Sequence, residues 1–130
     1  MYSIWVDTSH AVVEVTLGGM MTVEETNAYI IELKRQLVLN RMRTYAMVID
    51  VSACTIQPQD VIEAMRGHMA SMPKARALAV VTGSSLARMQ VRRLFTQPYA
   101  RITSTRDDGR SWARSGIEPP ISLPALAARA

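Results

Sequence analysis

Ala46-Met47-Val48-Ile49-Asp50-Val51-Ser52 and Ala77-Leu78-Ala79-Val80-Val81-Thr82 are the two stretches that decide the fold. Each is a short apolar run with no in–out alternation, followed by a polar turn and an amphipathic helical pattern. A strand that is apolar on both sides must be covered on both faces. Such strands, alternating with helices, build a parallel or mixed sheet clothed by helices. The helix after the first run opens at Pro58, where a missing amide proton costs nothing, and carries Val61, Met65, Met69 and Met72 on one face before Pro73 stops it. After the second run, Gly83-Ser84-Ser85 opens a helix whose apolar side is Leu86, Met89, Leu94 and Phe95.

Upstream, Tyr2–Asp7 and Ala11–Leu17 read as two strands joined at Thr8-Ser9-His10. Val13, Val15 and Leu17 alternate with Val12, Glu14 and Thr16, and the short connection makes the pair an antiparallel hairpin. After Gly18-Gly19, Thr22-Val23-Glu24-Glu25 is a capping box. The helix it starts reaches Asn40, with Thr26, Ile30, Leu33 and Leu37 on one stripe and Ile31 and Val38 widening it. Downstream, Tyr99–Thr105 is an outer strand and Asp107–Ser115, with Trp112, a short last helix. The order is ββαβαβαβα: an α/β fold with a mixed sheet of about five strands, its parallel crossovers right-handed. Residues 1–117 form one domain, and 118–130 a proline-containing tail.

The 130 residues contain nine Met but one Phe, two Trp and four Tyr, so aliphatic and thioether side chains must fill the core. One cysteine, Cys54, permits neither an internal disulfide nor a cysteine metal site. No apolar run approaches the roughly 20 residues of a membrane span, and the chain reads as cytoplasmic. Residues 1–65 hold four Lys/Arg against eight Asp/Glu, and residues 66–130 hold eleven against three, so a net charge of +4 divides into −4 and +8. Such polarity suits an acidic partner or head-to-tail association.

The elements and motifs together resemble the SpoIIAA-like branch of STAS-type domains, a group allied to the Sec14/CRAL-TRIO superfamily. The likeness covers residues 2–116. It rests on Val15-Thr16-Leu17-Gly18 with Thr22-Val23-Glu24-Glu25, on the two apolar strands, and on Ser111-Trp112 in the last helix. It implies a non-enzymatic domain that binds a protein partner in bacterial signalling. In anti-sigma-factor antagonists the loop after the central strand presents a phosphorylatable serine in an Asp-Ser-Ser-Gly-like context. Here the matching loop, Ser52-Ala53-Cys54-Thr55-Ile56-Gln57-Pro58, lacks that context, and Ser52 and Thr55 are its nearest hydroxyls.

In sheets of this type ligands gather at the carboxyl ends of the strands. Ser52, Thr55, Gln57 and Asp60 are therefore the expected partner contacts, with Ser52 and Thr55 as candidate phosphoacceptors. Ser84 and Ser85 open a helix whose free amides suit an anion, or simply cap it. Met65, Met69 and Met72 form either a core seam or the wall of an apolar-ligand pocket. Asp50 reads as a structural acid bonding loop amides, and Cys54 as a small buried hydrophobe. Arg88, Arg92 and Arg93, followed by Arg101, Arg106, Arg110 and Arg114, read as a solvated basic face or a docking face for an acidic protein. Too few aromatics accompany them for stacking bases, so no nucleic acid is expected. No cofactor, metal or catalytic residue is expected either. The domain reads as a protein-interaction module, quite naturally a homodimer, with a small apolar-ligand or lipid carrier as the alternative.

Overall fold

The computed structural model describes residues 1–116, apart from the side chain of Leu86. Nine elements follow in order: β1 (Tyr2–Asp7), β2 (Val12–Gly19), α1 (Val23–Leu39), β3 (Ala46–Cys54), α2 (Gln59–Ser71), β4 (Ala77–Val81), α3 (Ser85–Leu94), β5 (Ala100–Thr103) and α4 (Arg106–Ser115). The strands lie side by side in chain order, β1-β2-β3-β4-β5. β1 and β2 are antiparallel and the remaining pairs parallel, as the hairpin and crossover arguments require. The tail from Glu118 lies outside the described residues. Among those described, no helix is long and apolar enough to cross a membrane.

Because each crossover steps the same way along the sheet, α1, α2 and α3 share one face. Val13, Val15, Leu17, Met47, Ile49, Leu78 and Val80 meet Tyr29, Ile30, Leu33, Leu37, Val61 and Val91 there. The other side of the same strands gives a second, thinner core: Val12, Ala46, Val48, Ala77, Ala79 and Val81 lie under Trp112 and Ala113 of α4. The absence of alternation in β3 and β4 thus has its physical cause in these two covers.

Helix termini largely follow the sequence signals. Thr22 accepts a hydrogen bond from the Glu25 amide at 3.0 Å, but the Glu25 carboxylate pairs with the Met1 amine instead of returning to the cap. Pro58 is the N-cap of α2 and not part of its first turn. Ile31 and Val38 do not widen the buried stripe of α1: they are 69% and 78% exposed. The helix is rolled so that Tyr29 turns inward against Tyr2 of β1, ring centroids 5.8 Å apart. On its other flank, contact with α2 is made at Asn27 and Lys34, leaving Ile31 and Val38 past the rim. Met89 is likewise exposed, while Val91 and Leu94 carry the buried side of α3.

Candidate functional site

At the carboxyl end of the sheet β3 runs on past β4 while staying paired with β2. Thr16 pairs with Asp50 but Gly18 with Ala53, so Leu17 faces two residues, Val51 and Ser52. This bulge shifts the pleat by one residue. Cys54, rather than Ala53, consequently turns towards the three-helix core.

The loop that follows is tied down by Gln57. Its Oε1 accepts from the Met21 amide at 2.8 Å, and its Nε2 donates to the carbonyls of Gly19 and Thr55 at 2.9 and 2.7 Å. Gln57 N–H donates to Gln90 Oε1 of α3, and Gln90 Nε2 donates back to the Gln57 carbonyl. One amide therefore locks the β2–α1 turn to the β3–α2 loop, and its partner locks that loop to α3. Between these anchors Met20 and Ile56 are 64% and 48% exposed. Ser52, Thr55 and Asp60 are exposed as well. The four expected contact residues are thus brought to one end of the sheet, with Gln57 facing inward as the brace for the other three.

Behind the loop lies an apolar cavity of about 60 Å³. Leu17, Ile49, Cys54, Met65, Met69 and Phe95 are among its walls. Met72 lines a second, smaller space of about 20 Å³ with Tyr45 and Tyr99. The methionine stripe is half-buried against the core along its whole length. Burial pushes the Cys54 thiol above its ordinary pKa, and the nearby Asp50 and Glu25 charges add to this against the opposing pull of the N-terminal amine. A thiol held protonated is a poor nucleophile.

Ser84 is the N-cap of α3, accepting from the Ala87 amide at 3.3 Å, and Ser85 is exposed in the first turn. Capping accounts for Ser84. Among the described residues no group of three or more His, Cys, Asp or Glu side chains converges to hold a metal.

On the opposite face the acids of the strands meet the last helix. Arg106 donates to Asp50 Oδ2 at 2.8 Å and to Thr16 Oγ1 at 2.9 Å. Arg110 Nε donates to Glu14 Oε1 at 2.8 Å, and Arg114 lies 3.6 Å from Asp7. Asp50 also accepts from the Ser52 amide at 2.9 Å. Burial acts to raise the Asp50 pKa, but the Ser52 and Arg106 hydrogen bonds outweigh it and hold the carboxyl below its ordinary value. Asp50 is the structural acid its position suggested. Its arginine partner is 56 residues away, out of reach of local reading. The three α4 arginines are not a solvated basic face: they are spent on Asp50, Glu14 and Asp7. Their spacing of four along one helix, facing acids on three strands, is the signal that would have found them.

No protein-family model and no curated protein matches the chain. Solved structures do. An uncharacterised protein of the DUF3478 family with a SpoIIAA-like fold, from Shewanella loihica PV-4, superposes with a TM-score of 0.67 at 13% identity, covering 86% of this chain and 93% of that one. An anti-sigma factor antagonist from Mycobacterium paratuberculosis gives 0.63 at 16% identity, over 88% and 96%. SpoIIAA, an anti-sigma factor antagonist in its unphosphorylated form, gives 0.60 at 12% identity, over 88% and 99%. The chain has the SpoIIAA-like, STAS-type fold.

Proposed function

We propose that the chain is a non-enzymatic regulatory module of bacterial signalling that acts in the cytoplasm by binding another protein, and that it self-associates as a homodimer. The observation that carries the reading is the Gln57 brace. It ties the turn that carries exposed Met20 to the loop that carries exposed Ile56, with Ser52, Thr55 and Asp60 exposed at the same end of the sheet, apolar and polar groups of the kind a docking patch combines. The likeness to two anti-sigma factor antagonists supports it. Ser52 and Thr55 are the hydroxyls on which a phosphate would regulate the patch, by placing negative charge on its rim.

The carrier alternative needs a chamber of roughly 300 Å³ or more for a drug- or lipid-sized ligand. The space beneath α2 is about 60 Å³, which suits a core seam better.

Affinity capture with tagged wild type, Ile56→Asp and Ile31→Asp, read by quantitative mass spectrometry, tests the proposal. The expected outcome is one protein retained by wild type and Ile31→Asp and lost with Ile56→Asp. Retention by Ile56→Asp, or a lipid adduct on the gently purified chain in native mass spectrometry, overturns it.

A further inference from the structure

The two edges of the sheet are built differently. β5 has four residues, carries Arg101 and is approached through Pro98. Shortness, a cationic side chain and a nearby proline are the devices that keep an edge from pairing with another strand. β1 has six residues, Tyr2-Ser3-Ile4-Trp5-Val6-Asp7, with no proline, glycine, lysine or arginine and no bulge against β2.

Which backbone groups β1 offers follows from one observation. Met1 and Gly18 exchange both of their hydrogen bonds, N–H to carbonyl at 2.9 and 3.2 Å. They form a hydrogen-bonded pair of the antiparallel ladder, and such pairs alternate with non-bonded ones. Stepping along the register, Ser3–Thr16, Trp5–Glu14 and Asp7–Val12 are bonded pairs. Tyr2, Ile4 and Val6 therefore aim their N–H and carbonyl groups away from β2, out of the sheet. None of the described residues bonds to them.

The geometry points to β1 as the contact between two copies of this chain, paired antiparallel about a twofold axis at Ile4. This deepens the homodimer part of the function proposed above and rests on it. In antiparallel pairing an outward-facing residue must oppose another of its kind. Only the register centred on Ile4 uses all three, setting Tyr2 against Val6 of the second copy and Ile4 against Ile4. The same register places each Trp5 opposite a Ser3. Non-bonded pairs bring side chains closest, so the small serine leaves room for the indole, and the two indoles meet on the diagonal. Trp5 is 57% exposed in the single chain, so pairing removes its ring from water. The two Asp7 carboxylates fall at opposite ends of the ribbon, without like charges face to face. On the inner side Tyr2, Ile4 and Val6, already packed on the core, continue it into the second copy. Six residues, one of them a tryptophan, make a small interface, so association is concentration-dependent.

Light scattering combined with amide hydrogen exchange on the full chain over a concentration series tests this. The expected result is a monomer–dimer equilibrium in which the Ile4 and Val6 amides exchange freely when dilute and become protected when concentrated. Trp5→Lys should raise the dimer Kd at least about tenfold with the fold intact, through lost ring burial and diagonal repulsion. Ile4→Cys in a Cys54→Ala background should oxidise to a linked dimer. A dimer whose Ile4 and Val6 amides stay unprotected overturns the β1 pairing while leaving the homodimer reading standing. A chain still monomeric at about 1 mM overturns both, and leaves the Ile56 docking patch to its own capture test.

Discussion

The two faces of this sheet are held by different physics. Beneath α1, α2 and α3 the contacts come from large, flexible side chains, among them Leu33, Tyr29, Ile49, Met65 and Met69. They leave small voids of about 60 and 20 Å³. Beneath α4 the sheet offers Ala46, Ala77 and Ala79, and the helix offers Gly109 and Ala113. A Cβ added at Gly109 would stand 3.0 Å from Val81 Cγ2, 3.2 Å from Thr103 Oγ1 and 3.4 Å from Ala79 Cβ. Small residues on both sides let backbone approach backbone. Directed bonds do the rest: Trp112 Nε1 donates to the Leu78 and Tyr99 carbonyls, each at 3.1 Å, and Arg106, Arg110 and Arg114 take their three acids. A face held by volume tolerates a change of shape. A face held by close approach and paired charges does not.

Five substitutions, one of them a rescue, test that contrast. Gly109→Val should cost the most, about 3 kcal/mol by denaturant unfolding, because its methyls have nowhere to go without lifting α4. An unchanged denaturation midpoint would mean that the helix is free to shift outward.

Arg110→Met should cost about 2 kcal/mol, since it strands the Glu14 carboxylate, itself only 7% exposed, with solvent reaching the arginine and softening the loss. Adding Glu14→Gln should recover much of it. A double variant as unstable as the single would show that Arg110 acts by packing its stem.

Asp50 gives the next effect. Its folded pKa is depressed, so the stability it contributes is present above its unfolded value near 3.8 and lost as pH falls through the lower folded value. Stability should therefore decline from about pH 5 downward, and Asp50→Asn should flatten that decline. Parallel acid profiles for variant and wild type would remove Asp50 from the account.

Met69→Leu, on the other face, should change stability by less than about 1 kcal/mol, being nearly volume-conserving. A larger loss would show that the methionine seam is as tightly specified as the α4 side.

The same contrast explains what the chain disclosed before its structure was known. β3 and β4 were legible because burial on both faces removes the alternation that a half-exposed strand would show, and helix starts at Thr22 and Ser84 were legible because capping is local. The end of the sheet where Ser52, Thr55, Gln57 and Asp60 gather was legible from topology. That Gln57 faces inward was not, since its partners Gly19, Met21 and Gln90 lie 33 to 38 residues away. Ile31 and Val38 misled because helical periodicity marks a stripe but not its limits, which α2 and Tyr29 set. The α4 arginines were hidden by composition: a run of positive charge looks solvated until the acids of other strands are placed beside it.

The neighbour-to-neighbour order of the sheet has a kinetic meaning. Every strand pairs with the one made just before or just after it, so the sheet can grow in the order in which the chain is synthesised, each parallel pair closing only the crossover that carries its own helix. The arginine bonds of α4 reach much further: Arg106 to Thr16 spans 90 residues and Arg110 to Glu14 spans 96. These are clasps that can close only after the rest has assembled. Weakening them should leave the folding rate nearly unchanged and appear as faster unfolding. The last helix thus governs how long the folded domain lasts more than how fast it forms.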